Sequence, residues 1–264
     1  MSSNEKLIKE KYSNPSFEDM RFSNSRAKSL EFHYTKKSVS EYINHNTSVI
    51  EIGCATGYYG MYFADRCKEF IGVDLSPENI ETFKNKITNN NLNNVSAMVG
   101  DATNLVAITD CQFDVVMALG PLYHLPEVER ELVFSECKRI CKDNGIIVLA
   151  YINKVGAYIK GCLIAPDSYP NKTVNECVLK KGIDDIRPDM FFFTMPEDVE
   201  ERARAHGLTV LKNNGVDFTF NENLINEMNE EQFEAWLELS DYMYNSPSCT
   251  GLSDHALLIC KKYI

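Results

Sequence analysis

The chain has 264 residues, 44% of them hydrophobic and 25% charged, which suits one enlarged soluble domain with a core large enough to stand alone. A formal net charge of −11 disfavours a broad phosphate-backbone footprint, so a nucleic-acid partner is not expected. No apolar run is long enough to cross a bilayer, and the first residues, MSSNEKLIKEKYSN, contain no apolar signal segment; no membrane partner and a cytoplasmic location are therefore expected. The nine cysteines are odd in number and include no C-x-x-C pair. Cys137 and Cys141 are four apart, with no histidine or third cysteine close in sequence. Reduced thiols serving as small apolar residues are the reading that follows, and no metal is expected.

In chain order, residues 1–47 read as polar helices carrying Tyr12, Phe17, Phe22, Phe32 and Tyr34, and are assigned as an N-terminal helical lid. From 48 to 152, short apolar runs at 48–52, 69–74, 95–99, 113–119 and 146–151 alternate with helical windows at 58–67, 77–90 and 126–141. Ser76 before Pro77 supplies an N-cap followed by proline at the first helical position. Gly145 precedes the fifth run, where a helix-to-strand turn needs it. This alternation means a parallel sheet covered on both faces. Residues 153–193 have mixed character and are read as an insertion covering the active site. From 194 to 264 the same sheet continues: a helix opened by Pro196 and closed by Gly207, a strand at 208–212 that could extend to 218, a helix at 228–244, and a last strand at 256–261. Phe233, Trp236, Leu237 and Tyr244 share one face of the 228–244 helix, which is a packing stripe.

The most informative stretch is Val49-Ile50-Glu51-Ile52-Gly53-Cys54-Ala55-Thr56-Gly57, an apolar strand that ends in a tight turn of small residues and runs into a helix. Such a turn lets backbone approach a ligand, and the helix start behind it offers free N–H groups. Asp74 closes the second strand seventeen positions after Gly57, where a carboxylate can accept from both hydroxyls of a ribose. Together these features indicate an adenosine-containing ligand at the switch point of a parallel sheet. A dinucleotide fingerprint would need glycines where Ala55 and Tyr58 stand, and a pyrophosphate is poorly served by Glu51. An ammonium group is well served by it.

At these residues the sequence resembles the class I S-adenosylmethionine-dependent methyltransferase family. Glu51-Ile52-Gly53-Cys54-Ala55-Thr56-Gly57 is similar to the family's first motif, acidic-x-Gly-x-Gly-x-Gly, except at Ala55. Val73-Asp74-Leu75-Ser76-Pro77 resembles its ribose-binding strand end, and Val99-Gly100-Asp101-Ala102 the segment whose acidic residue meets the adenine amino group. The stretch Phe113 to Leu119-Gly120 looks like the fourth strand and the turn under the methyl donor. The resemblance covers about residues 48–152. It implies a doubly wound α/β fold with a seven-stranded, mostly parallel sheet (the Rossmann-like methyltransferase fold) and S-adenosyl-L-methionine as cofactor, with S-adenosyl-L-homocysteine as product. The cofactor-binding residues it implies are Glu51, Gly53, Cys54, Ala55, Thr56, Gly57, Asp74, Leu75, Asp101, Ala102, Leu119 and Gly120. It also implies an antiparallel last strand. Such a strand presents its amino end where parallel strands present their carboxyl ends, so Asp254 and His255 are expected on the active-site side, with the connection 219–253.

After the fourth strand comes Gly120-Pro121-Leu122-Tyr123-His124-Leu125, a turn similar to one in a bacterial small-molecule branch of the family. Tyr123 and His124 are the catalytic candidates, and Tyr12, Tyr123, His124 and His255 the candidates for substrate contact. The competing structural readings are that Tyr123 packs beneath the lid and that His124 steadies the helix after it. Little catalytic apparatus is required, because the donor methyl sits on a cationic sulfur that is already a good leaving group; the protein aligns the reactants and excludes water. The expected function is methyl transfer to a small-molecule acceptor by in-line displacement, in a monomer or homodimer. An RNA or protein methyltransferase, an NAD-dependent oxidoreductase and a non-catalytic regulator that binds the cofactor stay open as alternatives.

Overall fold

The structure, a computed structural model, describes residues 3–12 and 14–263, apart from the side chains of residues 3–5 and 17. The reading of Phe17 lies outside these. The chain opens with three helices, α1 (Ser3–Lys11), α2 (Pro15–Asp19) and α3 (Arg26–Ser40). Caps set their starts: Asn14 accepts from the Ser16 N–H, and Ser25 from the Lys28 N–H at 3.2 Å. The alternating core follows as β1 (Ser48–Ile52), α4 (Tyr58–Phe63), β2 (Glu69–Asp74), α5 (Pro77–Asn89), β3 (Val95–Val99), β4 (Phe113–Ala118), the single turn α6 (Pro121–His124), α7 (Glu127–Ile140) and β5 (Cys141–Asn153). Cys141 therefore leaves the helix that carries Cys137 and begins a strand. Next come α8 (Lys154–Ile164), α9 (Lys172–Val174), a π-helical stretch at Asn175–Lys181 and β6 (Phe193–Thr194). The remainder is α10 (Pro196–Ala205), β7 (Leu208–Gly215), α11 (Glu222–Glu227), α12 (Glu230–Tyr244), a 3-10 turn at Pro247–Leu252 and β8 (His255–Lys262).

The sheet runs β3-β2-β1-β4-β5-β8-β7. The first five strands are parallel, and β8 is antiparallel to both neighbours. The expected seven strands are joined by an eighth, β6, which pairs in parallel with the last two residues of β5. It was invisible in the sequence because two residues carry no periodicity. Chain order reverses between β1 and β4, so the crevice at their carboxyl ends is the place where such sheets bind ligands. β1 is buried along its whole length, as a strand covered on both faces must be. One face packs under α3, α4 and α5 through Tyr34, Phe63, Phe70 and Phe83; the other packs under α7 and α10 through Phe134, Ile140 and Ala203. Among the described residues no helix is long and apolar enough to cross a membrane.

Candidate active site

The turn after β1 gets its shape from three residues in the left-handed region: Gly53 at φ +82°, Ala55 at +45° and Gly57 at +85°. Glycine is required at Gly57, where a Cβ would lie 2.2 Å from the ring of Phe83. At Gly53 a Cβ would stand 3.1 Å from the Pro121 ring, across the crevice. Ala55 takes the same strained conformation with a side chain, at a cost of about 1–2 kcal/mol. Asp74 offsets part of this, since its Oδ2 accepts from the Ala55 N–H at 2.8 Å while its Oδ1 accepts from the Ser76 N–H at 2.9 Å.

A cavity of about 140 Å³ opens above this turn. Asp74, Leu75, Asp101 and Ala102 line one end of it, and Gly53, Ala55, Leu119 and Gly120 its floor. Burial raises the Asp74 pKa against the pull of its N–H donors. Asp101 spends Oδ1 on Thr103, whose N–H and hydroxyl both donate at 2.8 Å. Tyr12, Tyr123 and His124 close the cavity from above, with Ile8 and Lys9 of α1. A second cavity of about 50 Å³ lies beneath the turn, lined by Glu51, Cys54, Arg21, Glu31 and His255 and sharing Gly53, Ala55 and Leu119 with the first. Thr56 and Gly57 line neither. The Thr56 hydroxyl donates to Asp19 at 3.1 Å, and Lys86 donates to the Thr56 carbonyl at 2.9 Å while ion-pairing Asp19. This knot fastens α2 to the turn.

Glu51 is the most exposed chemical question in the site. It is 1% exposed, and among the described residues its Oε2 has no hydrogen-bond partner. Burial first and Asp74 second push its pKa well above the usual carboxylate range. An orphaned buried carboxylate oxygen is costly unless a cation or donor reaches it.

The two histidines at the cavities have opposite characters. The His124 ring is held at both nitrogens: Nδ1 lies 2.9 Å from the Met190 carbonyl and Nε2 lies 2.8 Å from the Tyr12 hydroxyl. Burial lowers its pKa to about 4, so the ring is neutral at pH 7, with Nδ1–H donating to Met190 and the Tyr12 hydroxyl donating to Nε2. His255 stands at the first residue of β8, opposite Ile152. Its Nδ1 is 3.1 Å from Asp217 Oδ2 and 3.7 Å from Asp254 Oδ2. Burial opposes its charge, but Glu31, Asp254 and Asp217 prevail and raise its pKa to about 9. Burial works against the charge of Asp217 too, and His255 and Lys160 overcome it to hold the acid below its usual range.

Arg21 is the cation of the second cavity. It pairs with Glu31 at 2.7 Å and approaches Glu18 at 3.9 Å. Glu31, Asp217 and His255 bring one ligand atom each within 4.8 Å of one another. Arg21 and Lys160 already supply the counter-charges there, so we assign no metal to this triangle. Arg21, Glu31 and Asp217 were not among the sequence candidates. Asp217 could have been found, since the edge geometry that singled out Asp254 and His255 applies equally to the end of β7. Arg21 and Glu31 carry no motif.

Residues 49–145 match a family model described as a methyltransferase domain. Over that stretch, a little over a third of the chain, the protein is similar to class I methyltransferases. S-adenosylmethionine is the cofactor of that family, and the residues here fit it: an ammonium answers the orphaned Glu51 Oε2, and the Gly53 cradle leaves room that a Cβ would narrow. Among curated proteins, a ribosomal protein L11 methyltransferase of Clostridium botulinum is 31% identical over 83 residues, covering 31% of this chain and 26% of the relative. A ubiquinone biosynthesis O-methyltransferase of Psychrobacter arcticus is 25% identical over 162 residues, covering 61% of this chain and 58% of the relative. The chain thus spans from about a quarter to just over half of these relatives. A solved S-adenosylmethionine-dependent methyltransferase of Aquifex aeolicus superposes with a TM-score of 0.55 at 12% identity, covering 94% of this chain and 98% of that one. That likeness concerns the fold.

Proposed function

We propose that the protein transfers a methyl group from S-adenosylmethionine to a small-molecule acceptor. The observation that carries the donor side is the unpartnered, fully buried Glu51 Oε2 below the turn, with Asp74 at the next strand end. In this reading Glu51 takes the ammonium of the methionine moiety and Arg21 its carboxylate. Asp74 takes the ribose hydroxyls with the oxygen lone pairs its backbone donors leave free, and Asp101 takes the adenine amino group through Oδ2. The cofactor supplies a methyl group on a cationic sulfur. The chain's part is to hold acceptor and methyl in line, worth several kcal/mol of barrier, and to keep water out.

Residues 1–47 act as the lid over that donor, since Ile8, Lys9 and Tyr12 roof the cavity. Residues 153–193 close the acceptor side through Met190 and Phe191, both in contact with His124. Tyr123 and His124 contact the acceptor; with both ring nitrogens engaged, His124 positions rather than accepts a proton. The enclosed cavities and the net charge of −11 favour a small molecule over RNA. The ribosomal-protein relatives match over 83 residues only, too few to carry an acceptor.

Calorimetric titration with S-adenosylmethionine, S-adenosylhomocysteine and NAD tests the donor side. Micromolar binding of the two sulfur ligands, weakened about a hundredfold in Asp74→Ala, is expected, since a charged hydrogen-bonding group contributes about 1.5–3 kcal/mol. Binding of NAD alone, or of none of the three, would defeat the proposal.

A further inference from the structure

We propose that His255, oriented by Asp217, takes the proton from a phenol or thiol acceptor as the methyl group is transferred. The inference rests on the donor site above and concerns the second cavity, where residues of the donor turn and the strand ends around His255 meet. Three observations carry it. First, the ring is fixed from behind: Nδ1 faces Asp217 at 3.1 Å and Asp254 at 3.7 Å. Second, Nε2 makes no hydrogen bond among the described residues, and His255 lines the second cavity together with Gly53 and Leu119, which floor the donor cavity. Third, the support is built into the fold. Ser253 Oγ accepts from the Asp217 N–H at 2.8 Å, the Thr219 N–H donates to Asp217 Oδ1 at 3.2 Å, and Lys160 donates to Asp254 at 2.8 Å. Gly156 allows this: a Cβ there would lie 2.1 Å from the Ser253 carbonyl oxygen, so only glycine lets α8 bring Lys160 so near. A carboxylate behind one nitrogen and a cavity before the other is the arrangement of a proton-accepting dyad.

The step balances. The acceptor oxygen or sulfur forms a bond to the methyl carbon, and the bond from that carbon to the donor sulfur breaks with its electron pair staying on sulfur. The acceptor's own proton passes to Nε2, and the resulting imidazolium is stabilised by Asp217. The charged and titratable groups around His255 are Glu18 on α2, Arg21 just after it, Glu31 on α3, Glu51 on β1, Lys160 on α8, and Asp217 and Asp254 at the strand ends, with Tyr123 edge-on at 5.8 Å and neutral His124 next to it. Acids outnumber bases in this group, so the ring is a strong base with its pKa near 9, matched to the pKa of about 8.5–10 of thiols and phenols. Alcohols are too weakly acidic for it.

The test uses the full chain saturated with S-adenosylhomocysteine, whose own binding is measured first by calorimetry. Failure of that ligand to bind defeats the donor assignment and is a different result from any below. The probes are 4-nitrophenol and 4-nitrothiophenol, read by absorbance across pH. The expected result is binding of at least one probe with its ionisation moved down by about one pH unit or more, a tenfold change. In His255→Asn, which keeps a hydrogen bond toward Asp217 but lacks Nε2, that shift disappears while S-adenosylhomocysteine affinity holds. With S-adenosylmethionine, methylation of the bound probe should rise with pH toward about 9 and fall about a hundredfold or more in His255→Asn. Asp217→Asn should move the inflection to lower pH. The proposal is overturned if neither probe binds, if the ionisation shift survives in His255→Asn, if sarcosine is methylated in preference to both probes, or if EDTA abolishes turnover.

Discussion

The donor half of the cavity comes from one continuous stretch, residues 49–120, whereas the wall facing it draws on Tyr12, Arg21, Glu31, His124, Met190, Asp217 and His255. The donor half is made of backbone: positive φ at Gly53, Ala55 and Gly57, strand ends, and a carboxylate on successive strands. The facing wall is made of side chains paired across the fold, such as Arg21 with Glu31 and His255 with Asp217. A ligand common to a whole family can be met by backbone geometry, which tolerates little change. A private acceptor is met by side chains, which can change without moving a strand.

The largest expected break falls on the donor half. Gly57→Val puts methyl groups where a Cβ already lies 2.2 Å from Phe83, at φ +85°. Strain and overpacking together should cost more than about 3 kcal/mol, seen as a lowered denaturation midpoint with loss of S-adenosylhomocysteine binding.

The next effect separates the two histidines by pH. His255 has its pKa raised to about 9, so its stabilisation is complete below the unfolded value of about 6.5 and is lost as pH rises toward 9. His124 has its pKa lowered to about 4, so its native state is favoured above about 6.5 and loses ground as pH falls toward 4. Urea denaturation across pH should show both limbs, each on the order of 2 kcal/mol. His255→Asn should flatten only the alkaline limb and His124→Asn only the acid one; a shared loss on both limbs would mean the walls are not independent. Smaller again, Glu51→Gln should weaken S-adenosylhomocysteine binding by about tenfold, because a neutral amide can accept from the ammonium but not neutralise it. The smallest effect belongs to Ala55→Gly. Relief of the left-handed strain and the added freedom of the unfolded chain nearly cancel, so stability should change by less than about 0.5 kcal/mol with ligand affinity retained.

Legibility in the sequence follows the same division. The strands β1 to β4 and helices α5 and α7 were readable to within a residue or two because alternation, the Ser76-Pro77 cap and the buried runs are local signals. The expected helix at 58–67 stops at Phe63, and the expected helix at 228–244 is α12, which begins at Glu230, with α11 a separate, unexpected helix before it. The break at Asn229 had a sequence sign, since Asn229 and Gln232 form a reciprocal capping box. β6 had none: its pairing with β5 depends on where the insertion folds back, and Phe192 donates from its N–H to the Tyr123 carbonyl at 2.9 Å. His255 was placed on the correct edge by reasoning from an antiparallel last strand. Its partner Glu31 lies more than two hundred positions away, and nothing in either local sequence announces the other.

The position of β8 also bears on how the molecule assembles. It lies between β5 and β7, and its pairing of Ile152 with His255 joins residues about one hundred positions apart, against about twenty for β1 with β2. Closing the longer loop costs more chain entropy before any contact rewards it, so short-range pairings lead and long-range ones follow. The β1-β2-β3 region is then expected to mature early in refolding and the Asp217–His255 pair to be set late, when β8 slots in. Pulsed hydrogen exchange would show protection at Ile50 and Ile71 ahead of protection at Leu257 and Ile259. A newly folded chain would recognise its methyl donor before it could accept a proton.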